Sequence, residues 1–344
     1  MKRFILRSIL FMLPLLLLLV AVEWHCRTHT LVVAKKRYVE KKKDYITTLI
    51  LGDSHAHNGI VPGLISDSAA SLALGGQPLA IDYYLLRQYQ PKMPRLHTVL
   101  LEVSPHRLWH DLDSQHWNAY LYHIVYGIPY HTETFSLSNY SFVLAAPHHG
   151  TAHFLDYYTP GHNHPVRDST GFPLSDSAGR FASVGYDGIR IEAGFHMPHS
   201  WAGTTDSNAA YLQQIAAFCT GHGIRLVLFT TPVSRSYAAH IPPAARTEAQ
   251  RIIDRISRQY HLVLLNHTTD SCYHLHHFRD EDHLSPFAAR MFSTMLKKEM
   301  VTHAPCYRIS NDPKQKRPHQ EALSYVLFVV SDKPTIYHLL ITIY

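Results

Sequence analysis

The chain opens with an apolar run, Ile9 to Val22, dominated by leucine and preceded by Lys2, Arg3 and Arg7. Counted from Phe4 through Trp24, it supplies roughly the 20 residues a helix needs to cross a bilayer. Bulky residues at Glu23-Trp24-His25-Cys26 stand where a signal peptidase would need small ones, so residues 1-24 read as an uncleaved anchor, although a signal peptide has a similar length. Basic residues lie on both sides of the run, and the positive-inside bias therefore selects no orientation.

Five later runs are short, rich in β-branched and apolar residues, and closed by small or turn-forming residues. They are Tyr45 to Leu51 ending at Gly52, Ser71 to Leu74 ending at Gly75-Gly76, Thr98 to Val103 ending at Ser104-Pro105, Arg225 to Thr230 ending at Thr231-Pro232, and His261 to Leu265 ending at Asn266. Runs of this kind suit strands buried on both faces of a parallel sheet, delivering their loops to one edge. Helical spacing appears at Asp82 to Gln90, Ser207 to His222, Pro243 to Tyr260 and Pro286 to Lys298. In the Ser207 helix the spacing predicts Ala210, Ile215, Ala217 and Phe218 inward, with a glycine stop at Gly221-His222-Gly223. Alternation of strands and helices predicts an α/β fold: a three-layer α/β/α sandwich with a mostly parallel sheet, preceded by one transmembrane helix.

The expected organisation is an anchor at 1-24, a basic juxtamembrane linker at 25-44, the α/β domain at 45-300 and a tail at 301-344. The alternation breaks between Trp109 and Gly203, a stretch rich in Tyr, His, Pro, Gly and Ser that reads as a lid, a substrate-binding elaboration or an inert surface excursion. The tail has no assignable role.

Composition alters this picture little. At 344 residues with 46% hydrophobic and 17% charged content, the chain is that of a globular protein and not of a disordered one. Its net charge of +6 owes much to Lys35, Lys36, Arg37, Lys41, Lys42 and Lys43, which adjoin the apolar segment; with no recognition motif beside them, they point to a membrane surface and not to nucleic acid. Cys26, Cys219, Cys272 and Cys306 are too scattered for a disulfide framework or a zinc site. The 28 histidines include the cluster His274, His276 and His277, but no metal-ligand spacing accompanies it, and neither metal nor cofactor is expected.

The candidate chemistry lies at Gly52-Asp53-Ser54 and Asp280-Glu281-Asp282-His283. A serine hydroxyl needs a base to take its proton and an acid to orient that base. Ser54 stands at a predicted strand-to-helix corner, while Asp280 and His283 share one loop ahead of a helix. Gly-Asp-Ser by itself also makes turns, and Asp282 and Ser285 are equally suited to cap the Pro286 helix.

Together these blocks resemble the SGNH/GDSL hydrolase superfamily over about residues 45 to 300. The resemblance implies Ser54 as nucleophile, His283 as general base and then acid, and Asp280 as its partner. It also implies an oxyanion hole formed by the N–H groups of Ser54 and of Gly75 or Gly76. The family's third block carries an asparagine, but this chain has Ser104-Pro105-His106, leaving Gln77, Ser104 or His106 as substitute donors. A membrane segment before such a domain is similar to envelope-associated branches that move acyl groups onto cell-envelope polymers. The expected function is a membrane-anchored serine esterase or O-acyltransferase with an extracytoplasmic domain, acting on an acylated carbohydrate or other ester, with a membrane acyl donor as possible partner. Trp109, Trp117, Tyr120, Tyr122 and Trp201 could bind sugar or serve as core. The alternative is a non-catalytic envelope scaffold that retains the fold.

Overall fold

The computed structural model describes residues 1–109, 119–130, 135–159, 167–174 and 205–302. Five parallel strands, β1 (Thr48–Leu51), β2 (Ala69–Ser71), β3 (Thr98–Glu102), β4 (Arg225–Thr230) and β5 (Val263–Asn266), pair in the order β2-β1-β3-β4-β5. Because side chains alternate across a strand, the sheet sorts its apolar residues into two layers. Leu49, Leu51, Val99, Leu101, Leu226 and Leu228 join one core with the helices Leu79–Tyr89, Thr205–Gly221 and Pro243–Tyr260. Ile50, Leu100, Val227 and Phe229 join the other, against Ala288, Ala289, Phe292 and Leu296 of the Pro286–Thr302 helix. Each fully buried Leu, Ile or Phe contributes about 1.5–3 kcal/mol of transfer free energy, so both faces must be covered for the sheet to persist. This is the α/β/α sandwich that the alternation predicts.

Several boundaries differ from expectation for local reasons. The second strand starts earlier, at Ala69, yet its hydrogen bonding to β1 continues through Leu72 N–H to Ile50 O (2.9 Å) and Leu74 N–H to Gly52 O (3.3 Å). His261 is not strand: at φ 52 it is the left-handed residue that ends the preceding helix, and β5 begins at Val263. In the Thr205–Gly221 helix, Ala209, Leu212, Ile215, Ala216 and Cys219 face inward; Ala210 and Ala217 are exposed and Phe218 is half-buried. The apolar stripe is rotated by one residue because Leu212 and Cys219, not Ala210 and Ala217, meet the sheet-side core.

The largest correction concerns residues 25-44. Lys2–His29 is one helix, long and apolar enough to span a membrane or to act as a signal anchor, but Val22, His25 and Cys26 near its end are buried. Glu23 accepts hydrogen bonds from Ser141 Oγ (2.9 Å) and Val143 N–H (3.1 Å), which ties this end to the first part of the insertion. The expected linker is a second helix, Leu31–Lys42, with Val32, Val33, Lys35 and Val39 buried. Val32, Val33 and Val39 recur on one face at helical spacing, so the segment packs; Lys41 and Lys42 stay exposed. In the insertion, Tyr122 is fully buried and donates to Gln77 Oε1 (3.2 Å), which makes it core and not a sugar platform. Trp117, Trp201, Cys306 and the tail from 303 lie outside the described residues.

Candidate active site

β1 sits between β2 and β3, so the chain leaves it toward opposite sides of the sheet. A crevice opens at the carboxyl end of such a strand, and ligands of parallel α/β sheets bind there. Gly52, Asp53 and Ser54 occupy that end. Gly52 adopts φ +140, and a Cβ there would lie 2.7 Å from Ala56 Cβ and 2.8 Å from Glu102 Cβ, so only glycine fits this corner. Asp53 caps the short Ser54–Gly59 helix by accepting from His55 N–H at 2.9 Å. Ser54 is partly exposed, and the ideal Cβ position of Gly75 lies 4.0 Å from Ser54 Cβ, which brings the Gly75 turn opposite the serine.

The distant loop comes to the same place. His283 Nδ1 lies 2.8 Å from Asp280 Oδ1 and 3.1 Å from Asp282 Oδ1. Asp280 also accepts the N–H groups of Asp282 and His283, at 3.3 and 2.8 Å, so the loop is closed around its carboxylate. Asp282, nearly fully buried, turns its other oxygen to His55 Nε2 at 3.2 Å, and His55 Nδ1 meets Thr231 Oγ1 at 3.2 Å. The rings of His55 and His283 meet edge to face, 5.4 Å between centroids. The residue after Ser54 is thus bound to the residue before His283.

Asp282 is the residue that sequence reasoning misplaced. The cap of the Pro286 helix is Ser285, whose Oγ accepts Ala288 N–H at 3.3 Å, while Asp282 bridges two histidines. An acidic residue one position before a candidate catalytic histidine was the available signal. Burial disfavours a charged His283 ring, but Asp282 and Asp280 outweigh it and lift its pKa to about 10. Asp282 moves the opposite way: burial would raise its pKa, and the His283 and His55 charges hold it well below the usual carboxylate range. His55, Asp282 and His283 bring one ligand atom each within 4.8 Å of one another, a donor set able to hold a metal, although hydrogen bonds among these groups already engage it.

The substitute oxyanion donors fare unequally. Gln77 is fully buried, gives its amide to Asp82 Oδ1 (2.6 Å) and accepts from Tyr122, so its side chain is not available to an oxyanion. Ser104 Oγ contacts His106 Nδ1 at 2.8 Å, and His106 Nε2 contacts Asp53 Oδ2 at 2.5 Å. The His106 side chain is therefore directed at the acid that caps the Ser54 helix, and the Ser104 hydroxyl at His106. Behind them Arg107, fully buried, pairs with Asp82, lies 3.7 Å from Glu102 and 3.9 Å from Asp53, and donates to the backbone oxygens of Glu102 and Gln77. The rings of His274, His276 and His277 cluster around the Leu275–His277 turn, His274 stacked on His277 and His276 tilted against both.

The sequence matches no family model and no curated protein. Among solved structures, a provisionally named platelet activating factor from Streptococcus pneumonia is 10% identical, with a TM-score of 0.39 over 85% of this chain and 98% of that one. A GDSL-like lipase from Bacteroides thetaiotaomicron is 9% identical, with a TM-score of 0.39 over 80% of this chain and 100% of that one.

Proposed function

We propose that the chain is a serine ester hydrolase or O-acyltransferase of SGNH type, held at a membrane by its N-terminal helix with the α/β domain outside the cytoplasm. The observation that carries this reading is the link between the two motifs: His55, adjacent to Ser54, hydrogen-bonds Asp282 and stacks edge to face on His283. Two segments more than two hundred residues apart in sequence are thereby joined at the carboxyl end of β1, where the chain turns to opposite sides of the sheet.

In this mechanism the Ser54 hydroxyl attacks an ester carbonyl while His283 Nε2 takes its proton. Asp280 holds the ring through Nδ1. The tetrahedral oxyanion is met by the Ser54 N–H, a first-turn donor without an intrahelical acceptor, and by the Gly75-Gly76 turn across from it. Collapse expels the alcohol, protonated by His283, and leaves an acyl-Ser54. Water or a carbohydrate hydroxyl then takes the acyl group by the reverse sequence. An acylated envelope glycan suits a catalytic domain tethered at a membrane, as does an acyl donor presented by a membrane partner.

One observation favours a non-catalytic envelope protein: two carboxylates hold His283 protonated near neutral pH, and a charged imidazole accepts no proton. A serine-directed fluorophosphonate separates the two readings. Full-length protein in mild detergent is expected to label on Ser54 increasingly as pH rises, and neither Ser54→Ala nor His283→Ala should label. A folded wild-type protein that stays unlabelled up to pH 10 would leave the scaffold reading standing.

A further inference from the structure

Four basic side chains, Lys35, His57, Arg167 and Arg279, lie on segments around Ser54, near enough that the charges of the other three act on the His57 ring. Lys35, buried, donates to Ser71 Oγ (3.2 Å) and Ala73 O (2.7 Å) at the end of β2, two residues before Gly75. Asp168 to Phe172 fold over it, and a Cβ on Gly171 would lie 3.1 Å from Lys35 Cγ. That turn is tightened by Asp168, which accepts from Thr170 N–H (2.8 Å) and Phe172 N–H (3.0 Å), and it carries half-buried Arg167. His57 lies one helical turn beyond Ser54, on the same face. Arg279 donates to Asn58 Oδ1 (3.3 Å), and Asn58 in turn donates to the Ser54 carbonyl (2.8 Å).

Little opposes this charge. Among the described residues, the only carboxylate within ion-pair distance of these four groups is Asp280, 3.5 Å from Arg279 Nε and already engaged by His283. His57 Nδ1 is buried and has no hydrogen-bond partner there. The cost is visible in the protonation equilibria. Burial, joined by the charges of Lys35, Arg167, Arg279 and His283, holds His57 well below its usual range. Burial also lowers Lys35 to about 7, with Asp168 opposing and Arg167 adding to the fall, and it lowers Arg167. Basic groups whose charge is suppressed by burial and by one another, with an unpartnered ring nitrogen among them, are what an anionic ligand would protonate and neutralise.

We infer that the ester taken at Ser54 carries a phosphate-type dianionic group, which Lys35, Arg167, Arg279 and His57 hold beside the reacting carbonyl. This inference rests on the serine-ester reading for the word substrate, but the anion site is a binding property that stands apart from catalysis. Two guanidinium groups with an ammonium and an imidazole offer more charge than one carboxylate needs, and planar N–H pairs fit tetrahedral oxyanions. The proposal also gives the long insertion a role, since Arg167 is its contribution.

Calorimetric titration of inorganic phosphate into the full-length protein in neutral detergent tests it. Saturable binding is expected in wild type and equally in Ser54→Ala. Arg167→Gln and Arg279→Gln should each weaken it about tenfold or more, Arg279→Lys should retain most of it, and acetate should bind far more weakly. Circular dichroism of each variant separates lost binding from lost folding. Absence of binding, insensitivity to both glutamine substitutions, or acetate binding as tight as phosphate overturns the inference. Phosphate binding without Ser54-dependent ester cleavage would leave the anion site and remove the hydrolase reading; cleavage without phosphate binding would do the reverse.

Discussion

Two charged regions flank Ser54, and they handle their charge differently. In the first, the buried Arg107 is matched by Asp82, Glu102 and Asp53, and Asp53 is also met by His106. Burial and the Asp53 charge still push Glu102 up to about 7, while Asp53 itself is held low because His106 and Arg107 outweigh its burial. In the second region, Lys35, His57, Arg167 and Arg279 have, among the described residues, only Asp280 at ion-pair distance, with Asp168 acting on Lys35 from farther away. Buried ions are tolerated only when paired and hydrogen-bonded, so the first arrangement holds a shape. The second is more costly by itself and makes physical sense when a ligand completes it.

The sharpest way to break the comparison is at the serine between the two regions. Ser54→Ala is expected to lower ester cleavage by about 10³-fold or more while leaving melting temperature almost unchanged, checked by initial rates beside thermal unfolding. A measurable residual rate near wild type would put the nucleophile elsewhere. Next is the compensated region: Arg107→Met takes from Asp82 its buried cation, leaving Asp53 to His106 alone, and should cost about 3–5 kcal/mol in denaturant unfolding. Gly52→Ala, forced into φ +140 against two Cβ atoms, should cost about 3 kcal/mol in the same assay.

A subtler contrast concerns proton linkage at His283. Its folded pKa lies above the ordinary histidine value, so its ion pairs contribute stability that is fully present below about pH 6.5 and is lost as pH rises through about 10. Cleavage has the opposite slope, because only the neutral ring accepts the serine proton; activity should climb across the same window. Asp282→Asn removes one of the two negative charges and is expected to move both midpoints down by about one pH unit. Unchanged profiles would show that Asp280 alone sets this histidine. The smallest effect belongs to the uncompensated region: Arg279→Gln, partly exposed and 3.5 Å from its acid, should change stability by less than about 0.5 kcal/mol. A large loss there would mean that Arg279 is structural like Arg107.

Much of the fold was legible because it is written in local periodicity. Apolar runs closed by Gly, Ser-Pro, Thr-Pro or Asn marked all five strands, and the Pro243–Tyr260 helix was bounded at both ends by its own sequence. The misreadings share one cause. Lys35 and its neighbours read as a basic juxtamembrane linker because charge density hid the Val32, Val33 and Val39 face. Ala210 and Ala217 read as inward because alanine sits comfortably on either side of a helix, and the partner surface, not the residue, decides. Gln77 read as a free donor because nothing local reveals that Asp82, on the following helix, takes its amide.

By itself the sequence determined the parallel α/β class, the apolar N-terminal helix, and a serine at a glycine-permitted corner with an Asp-x-x-His loop far downstream. These are properties of single segments: period, composition, and the φ that only Gly52 allows. Tertiary structure alone decided that Asp282 serves two histidines, that Arg107 closes a charge network with Asp82, Glu102 and Asp53, and that Lys35 reaches the end of β2 while Arg279 reaches Asn58 on the Ser54 helix. Such arrangements depend on strand order and on which helices cross, and residues that share a site through them lie too far apart in the chain for any local pattern to connect them.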